Sequence, residues 1–160
     1  MSKPTVTPTG NVFQLPLTKK QRRRAEDKWS PQVIKLGYTP LPSLLLKAQA
    51  KLKLKPVPLN VLLQVIEHWW DADKDPFPSK ETIARRMKLS PRQVQRVLTK
   101  LEADGFIKRM PRYSGRGQQI SNAYSLDGTV QKLKELEPAF TRAKEQNRIR
   151  NKKVERGGTA

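Results

Sequence analysis

The sequence predicts a mainly α-helical fold with a small β-hairpin, flanked by basic, flexible N- and C-terminal extensions. Three observations lead to this fold class. Apolar residues between positions 44 and 105 recur at the three- and four-residue spacing of amphipathic helices. Two of these helices are separated by only a few residues, so they cannot lie flat together and must cross steeply. The glycine-rich run 112–119 then joins two short strand patterns, as expected for a hairpin.

Composition narrows the class of partner. The chain has 33 Lys and Arg residues against 14 Asp and Glu residues, a formal charge of +19. A surface with that imbalance repels itself, which implies a polyanionic partner. The absence of cysteine excludes disulfides and thiolate zinc sites. No secretory signal pattern and no apolar run near the ~20 residues that span a bilayer are present, so we expect a cytoplasmic, nucleoid-associated protein without a membrane partner.

The chain divides into three predicted segments. Residues 1–43 are rich in Pro, Thr, Lys and Arg without a sustained apolar period, which predicts a basic, largely disordered arm with at most a short helix at Lys19–Trp29. Residues 44–127 carry the helix and strand patterns and form the predicted domain. Residues 128–160 predict a helix and then a basic, mobile tail. Within the domain, Ser79–Arg116 holds 11 basic and 3 acidic residues, so most of the domain's positive charge lies there.

Two helices are predicted at the start of the domain. Ser43 is placed as the N-cap of a helix that ends before Pro56. A second helix begins near Pro58, and Phe77, between two prolines, can then form an edge strand of at most about three residues. The second helix presents one apolar face, which consists of Leu59, Leu62, Leu63, Ile66 and Trp70.

The central motif is a helix, an abrupt turn and a second helix. Ser79 is placed as the cap of the first helix, which turns Ile83, Ala84 and Met87 inward. Ser90, followed by a first-turn proline and by Gln93, has the pattern of a capping box for the second helix. Gly105 occupies the position of a left-handed C-terminal stop. The predicted buried stripe of this second helix is Val94, Val97, Leu98 and Leu101, and the strand that follows begins at Phe106.

The outward face of the second helix has the chemistry of a major-groove reader. Arginine pairs in a bidentate manner with guanine and glutamine with adenine, while Lys and Thr contact phosphates or bases. The free N–H groups at the N-terminus of this helix also attract phosphate. Between the strands, Arg112, Tyr113 and Arg116 lie among Ser and Gly, where an arginine has access to a narrow minor groove. The outward helix face consists of Arg92, Gln95, Arg96, Thr99 and Lys100.

The run FPSKETIARRMKLSPRQVQRVLTKLEADGFIKR resembles the winged helix-turn-helix of MarR- and GntR-type regulators. It is more similar still to the version in phage and plasmid replication initiators and mobile-element regulators. The resemblance covers roughly residues 58–126, and GQQISNAYSL resembles the return strand of the wing. It implies that the recognition helix and the wing tip contact DNA. The complete set of predicted DNA-binding residues is Lys80, Ser90, Arg92, Gln93, Gln95, Arg96, Thr99, Lys100, Arg112 and Arg116.

Other functions have weaker support. Asp71, Asp73 and Asp75 have the first spacings of a calcium loop, but Pro76 replaces the required glycine and Thr82 the final glutamate. A polar turn is the better interpretation, and no metal or cofactor is expected. The single histidine, His68, and the lack of cysteine or paired carboxylates leave an enzyme without catalytic groups. We therefore expect a non-enzymatic protein.

The segment after the domain has a short seam of apolar residues at coiled-coil spacing: Leu133, Leu136, Phe140 and Ala143. This seam predicts either a homodimer through the C-terminal helix or packing against the protein's own domain. Pro138 is expected to kink or split the helix. The functional expectation is sequence-specific binding of double-stranded DNA by a bacterial or mobile-element transcriptional regulator. Two alternatives remain: a replication initiation or maintenance protein, and a protein-interaction module or nonspecific nucleic-acid binder.

Overall fold

A computed structural model describes residues 19–157, and it confirms the mainly helical fold with a two-stranded antiparallel hairpin. The predicted disorder of residues 1–18 concerns positions outside this range. The elements are α1 (Lys19–Trp29), α2 (Pro31–Lys35), α3 (Ser43–Lys47), α4 (Pro56–Glu67), α5 (Lys80–Met87), α6 (Pro91–Ala103), β1 (Lys108–Tyr113), β2 (Gln119–Ser125) and α7 (Asp127–Gly157).

Two stretches of the N-terminal segment, α1 and α2, are helical, whereas the sequence predicted mainly disorder with at most one short helix there. Helix α1 occupies the charged run at which a short helix was expected, and α2 was not expected. The Ser30 hydroxyl accepts a hydrogen bond from the Val33 backbone N–H, and Pro31 follows it in the first helical turn. This Ser-Pro start is the same signal that Ser90 and Pro91 give to α6. Ala25 and Ile34 are buried where α1 and α2 meet.

The predicted helix from Ser43 to Pro56 is wrong in its start and in its length. Ser43 lies inside α3, the N-cap position belongs to Pro42, and no side chain caps the helix. The regular helix ends at Lys47, and turns replace it up to the left-handed residue Lys53 at φ 55°. The Leu54 backbone N–H donates to the Gln49 backbone carbonyl, and the Gln49 side-chain amide donates to the Leu54 carbonyl. Two hydrogen bonds between the same two residues therefore stabilise this turn.

Helix α4 begins at Pro56, two residues earlier than predicted, and its buried face is rotated from the predicted one. Val61 and Val65 are fully buried together with Leu59 and Leu62. Trp70, assigned to the apolar face, lies beyond the end of the helix and is 37 % exposed. Leu63 and Ile66, assigned to the same face, are half-buried against the core, so the buried face of α4 is wider than the predicted stripe and includes both valines.

The core lies between α4, α5, α6 and the hairpin. It is formed by buried apolar side chains from each of these elements, and α5 and α4 both pack on α6. Ile83 and Ala84 are buried as predicted and Met87 is half-buried. The largest fully buried side chains include Tyr124, Leu45, Leu62, Ile83, Leu98, Leu101 and Leu126.

The segment around Phe77 is not a strand, although it runs beside β2. The Tyr124 N–H donates to the Pro76 carbonyl and the Ser121 hydroxyl donates to the Phe77 carbonyl. Because Pro76 and Pro78 lack N–H groups, this segment accepts from β2 without completing a ladder. The expected edge strand is thus reduced to two hydrogen bonds.

β1 lies farther along the chain than predicted, because it begins at Lys108, two residues after the expected start at Phe106. β1 continues through Arg112 and Tyr113, which the sequence had assigned to the loop, and an irregularity between Met110 and Arg112 accommodates Pro111. Five residues, Ser114–Gln118, then form the tip. The Ser114 N–H donates to the Gln118 carbonyl, and Gly117 adopts φ 75°, a left-handed conformation that glycine accepts without strain.

Helix α7 runs from Asp127 to Gly157 and is not split at Pro138, which was expected to kink or split it. Proline removes one backbone hydrogen bond, but Pro138 and Lys134, whose carbonyl loses its partner, are both exposed, so water can satisfy that carbonyl. Its N-terminus is tied to the domain, because the Thr129 N–H and hydroxyl both donate to the Phe106 carbonyl. Leu133 packs against the core, and Phe140 lies under the Lys51 ammonium at 4.9 Å from the ring centre. Part of the predicted seam is therefore in contact with the protein's own domain.

Candidate nucleic-acid interface

Helix α6 is held at both ends as the sequence predicted. The Ser90 hydroxyl accepts from the Gln93 N–H at 3.2 Å, and the Gln93 side-chain oxygen accepts from the Ser90 N–H at 2.8 Å. At the other end Gly105 adopts φ 74°, and the Phe106 N–H donates to the Leu101 carbonyl. These contacts define which face of α6 is exposed and which is buried.

Arg92 and Arg96 form the unpaired part of that exposed face. They lie one helical turn apart and are both exposed, and among the residues that the structure describes none forms an ion pair with either of them. Two guanidinium groups without an internal partner retain all their donors for an external one. Arginine groups of this kind bind guanine edges and phosphates in a bidentate manner.

Four other predicted residues of α6 already make hydrogen bonds within the chain. Ser90 and Gln93 are the two members of the capping box. The Thr99 hydroxyl donates to the Gln95 carbonyl at 2.9 Å, and the Gln95 amide reaches the same hydroxyl at 3.4 Å. These side chains retain spare donors or acceptors, but their first role in the free protein is to fix the helix.

Lys100, unlike Arg92 and Arg96, has an acidic partner on the same face of α6. Its ammonium lies 3.0 Å from the Asp104 carboxylate, one turn farther along α6. Both side chains are well exposed, so the pair is worth little in water and can exchange for a phosphate contact. Lys80, in the first turn of α5, is half-buried and lies outside this face.

Arg112 does not lie at the wing tip, where the sequence placed it. It belongs to β1, its guanidinium lies 3.9 Å from the centre of the Phe77 ring, and it donates to the Ser121 hydroxyl at 3.4 Å. This half-buried cation–π contact holds the hairpin against the segment between α4 and α5. Arg112 therefore has a structural role in the free protein.

Arg116 is the cation of the wing tip. It is exposed, and its backbone N–H donates to the Ser114 hydroxyl in a tip that is closed by several short-range hydrogen bonds. Tyr113 is exposed beside it. The tip thus presents one cation and one aromatic ring on an ordered turn.

Sequence reasoning missed Lys88. This residue ends α5 in a left-handed conformation at φ 52°, is exposed, and lies two residues before the cap of α6. It adds a cation near the N-terminal end of the recognition helix, where the free N–H groups also attract anions. The signal was present in the sequence, since Lys88 lies in the turn itself, but only the geometry shows its side chain to be exposed there.

The hairpin is anchored to α6 by an ion pair. The Arg109 side chain and backbone N–H both donate to the Glu102 carboxylate, at 2.7 Å and 2.8 Å. These side-chain and backbone hydrogen bonds from Arg109 lower the pKa of Glu102 from its ordinary value of 4.5. The pair holds the strand that leads to the wing at a set position relative to the recognition helix.

The remaining candidate groups are placed as follows. The Asp71 carboxylate accepts from the Asp73 N–H and pairs with Lys74 at 3.1 Å, which makes the acidic run a polar turn. These contacts, the hydrogen bond from Asp73 first, lower the pKa of Asp71.

Among residues 19–157 no cluster of three or more His, Asp or Glu side chains is arranged to hold a metal ion. His68 is half-buried beside Glu67. No helix in the described range has the length and apolarity to cross a bilayer.

The fold and this surface together define a basic winged helix-turn-helix protein whose second helix, α6, is capped and carries an exposed cationic face. The sequence profile of the DnaD N-terminal domain family matches residues 41–146, and the chain belongs to that family. The structure is similar to the crystal structure of the N-terminal domain of DnaD protein from Geobacillus kaustophilus, with a TM-score of 0.50 and 22 % sequence identity over 76 % of this chain and 96 % of that one. This similarity supports the fold. No curated protein sequence matches the chain.

Proposed function

We propose that this protein binds double-stranded DNA during the initiation of replication, with α6 in the major groove and the wing tip on the adjacent backbone. The family match favours replication initiation, the alternative of the sequence analysis, over the transcriptional regulator that was its main expectation. The same geometry would also serve a transcriptional regulator, because both classes of protein use this motif to bind a DNA site.

The observation that carries the proposal is the exposed pair Arg92 and Arg96 on a helix whose ends are fixed. A solvated helix face usually balances its charges with neighbours three or four residues away. Here, in the described part of the chain, these two arginines have no such neighbour. Leaving two like charges one turn apart costs stability, and a polyanionic partner would offset that cost.

Selection of binding sites from random duplex DNA, followed by two variants, tests DNA recognition. Arg96→Ala is expected to weaken binding to the selected site by about 1–3 kcal/mol and to relax the preference at one base position. Arg116→Ala is expected to weaken binding to all sequences evenly and to lower the salt dependence. Lys74→Ala, which removes an exposed charge far along the chain from α6, serves as the control. If no duplex is enriched, or if both variants bind as the control does, α6 is not a DNA-reading helix.

Where the selected site occurs distinguishes the two biological roles. A replication protein is expected to bind repeated sites at an origin, and its removal abolishes replication of the molecule that carries that origin. A regulator is expected to protect a short site at a promoter and to change transcription from it. Origin occupancy without a change in replication contradicts the replication proposal.

A winged helix can also serve as a protein-interaction module, and dimerisation through α7 is still a prediction. Absence of duplex binding at moderate salt would favour the interaction module. Sedimentation at micromolar concentration tests the dimer, since a monomer at those concentrations would remove it.

A further inference from the structure

Two neighbouring grooves beside α7 are lined by six lysines, and five of these lie outside the outward face of α6. The first, of about 420 Å³, lies between the turn 48–53, the C-terminal end of α6 and α7, and it is lined by Lys51, Lys53, Lys100 and Lys132. The second, of about 550 Å³, lies between α3 and the middle of α7, and it is lined by Lys47 and Lys144. We call these six residues the lysine track.

The two grooves are joined by one contact. Lys51 lines the first groove, and its ammonium lies over the ring of Phe140, which lines the second. The track also begins at the recognition surface, because Lys100 follows Arg92 and Arg96 at four-residue intervals on α6. A row of cations therefore leads from the end of the recognition helix along the side of the domain.

The track carries excess positive charge on an exposed surface. Its acidic neighbours are Asp104, Glu135 and Glu137, which leave six lysines against three carboxylates. Asp104 is paired with Lys100, and the Glu137 carboxylate accepts from the Thr141 hydroxyl. Lys132 lies 5.1 Å above the Phe106 ring, which keeps its side chain over the first groove.

The side chains along the track indicate which class of partner it binds. All its cations are lysines, which act as point charges toward phosphate, whereas base reading relies on bidentate groups. Binding of single strands would require exposed rings on which bases stack. The rings along the track, Phe106 and Phe140, are buried or half-buried and covered by lysine. A second copy of the chain is disfavoured, because α7 continues from Thr141 to Gly157 with seven basic and two acidic residues.

From these observations we infer that the lysine track binds the phosphate backbone of the duplex that flanks the site read by α6. This inference rests on the proposed function. Lys132 and Lys144 are twelve residues apart on α7, about 18 Å at 1.5 Å per residue. At about 3.4 Å per base pair this is a contact along roughly five base pairs beyond the site.

The test uses the full-length protein and two duplexes that carry the selected site, one without flanks and one with ~10 additional base pairs on each side. The track variant replaces Lys51, Lys53 and Lys132 by Gln. A charge-matched control replaces Lys55, Lys74 and Lys134, which are exposed and line neither groove. The track variant is expected to bind the short duplex as the native protein does. On the long duplex its affinity falls at least tenfold more than that of the control at low salt, and the salt slope falls by about 2–3.

Replacing the same three lysines by Arg keeps the charge, and this variant is expected to retain the native affinity for the long duplex. Circular dichroism checks that each variant is folded. Equal binding of the long duplex by the native protein and the track variant would overturn the inference, as would an equal loss in the control. If the native protein binds no duplex, the proposed function itself fails. If Arg96→Ala weakens binding while the track variant does not, the track alone is refuted.

Discussion

At Gly128 the backbone of a neighbouring segment leaves no room for a side chain. A Cβ at this position would lie 2.1 Å from the Gly105 carbonyl oxygen, which is backbone and cannot rotate away. The missing side chain therefore permits the first turn of α7 to approach the end of α6. This approach also brings Thr129 within reach of the Phe106 carbonyl. The ends of α6 and β1 can therefore pack against the start of α7 only because residue 128 is a glycine.

We expect Gly128→Ala to destabilise the fold by about 1–3 kcal/mol or more, because the two backbones must separate. Chemical denaturation monitored by circular dichroism measures the change. Gly115→Ala is the matched control, since a Cβ there meets nothing within 4 Å, and its free energy of unfolding should stay close to that of the native protein. A Gly128→Ala protein as stable as the Gly115→Ala protein would show that the junction relaxes without cost.

The ion pair of Glu102 with Arg109 predicts a defined pH dependence. The pKa of Glu102 lies below 4.5 in the fold, so its contribution to stability is complete above the unfolded value and is lost as the pH falls through the folded one. Glu102→Gln is expected to lower the free energy of unfolding by about 0.5–1.5 kcal/mol at pH 7, since the carboxylate is about one-third exposed. The difference from the native protein should vanish as the pH falls well below 4.5.

Unfolding at a series of pH values between 3 and 7 measures this effect. Glu145→Gln is the control, because Glu145 pairs with Arg148 on the exposed part of α7, where both side chains are more than half accessible. That variant should differ little from the native protein at any pH. A Glu102→Gln effect that persists unchanged at pH 3 would assign it to packing of the side chain.

Among the elements, α6 depends most on local signals in the sequence. Ser90, Pro91, Gln93 and Gly105 specify its start and its end, and the structure places each in the expected role. Ser90→Ala is expected to cost about 1 kcal/mol of stability, because it removes the hydroxyl that accepts from the Gln93 N–H. Thermal unfolding monitors the loss.

Ser43→Ala is the matched control for that experiment. The sequence placed Ser43 as an N-cap, but it lies within α3, and Pro42 occupies the cap position. Alanine favours a helix more than serine does, so this variant should be as stable as the native protein or slightly more stable. A loss equal to that of Ser90→Ala would show that Ser43 caps the helix after all.

The contrast between Ser90 and Ser43 also shows which parts of the fold the sequence predicts. Elements with a start signal, a stop signal and a helical period, such as α5 and α6, were predicted to within a residue or two. The end of β1 was placed too early, because Arg112 and Tyr113 have loop-like neighbours and only their pairing with Ile120 and Gln119 makes them a strand. The position of Arg112 over Phe77 depends on a tertiary contact across 35 residues, which no local pattern contains.

The same limit applies to the candidate interface. The composition of α6 identified its outward residues, but the partners of Lys100 and Thr99 follow from side-chain geometry. The lysine track combines Lys47, Lys51 and Lys53 with lysines on α6 and α7, and these positions are far apart in the sequence. Periodicity within one helix cannot show that cations from three elements line the same groove.

At the scale of the whole molecule, the packed core and the most exposed basic residues of α7 occupy different parts of the chain. The buried apolar side chains of the described residues end at Leu126, and Leu133 is the last residue packed against the core. Helix α7 nevertheless continues to Gly157, and the side chains described beyond Phe140 are all exposed. At 1.5 Å per residue, the 17 residues from Thr141 extend about 25 Å. This half of α7 contributes charge to the molecule and little to its core.

Truncation after Gln146 tests this separation. It removes Asn147–Ala160, which hold five basic residues and one acidic residue, so the net charge falls from +19 to +15. We expect the melting temperature to change by no more than about 2 °C, because none of the residues that the structure describes in this stretch packs on the core. Affinity for duplex DNA should fall at low salt and approach that of the full chain as salt rises, because screening weakens the attraction of the removed charges.

A full-length variant in which Arg148, Arg150 and Lys152 are replaced by Gln separates charge from helix length. If charge is the cause, this variant loses most of the affinity that the truncation loses, since it removes three of the four net charges. A large fall in melting temperature on truncation would contradict the separation of charge from packing. If that fall also depended on protein concentration, the end of α7 would pack against a second copy, because only association makes unfolding depend on concentration.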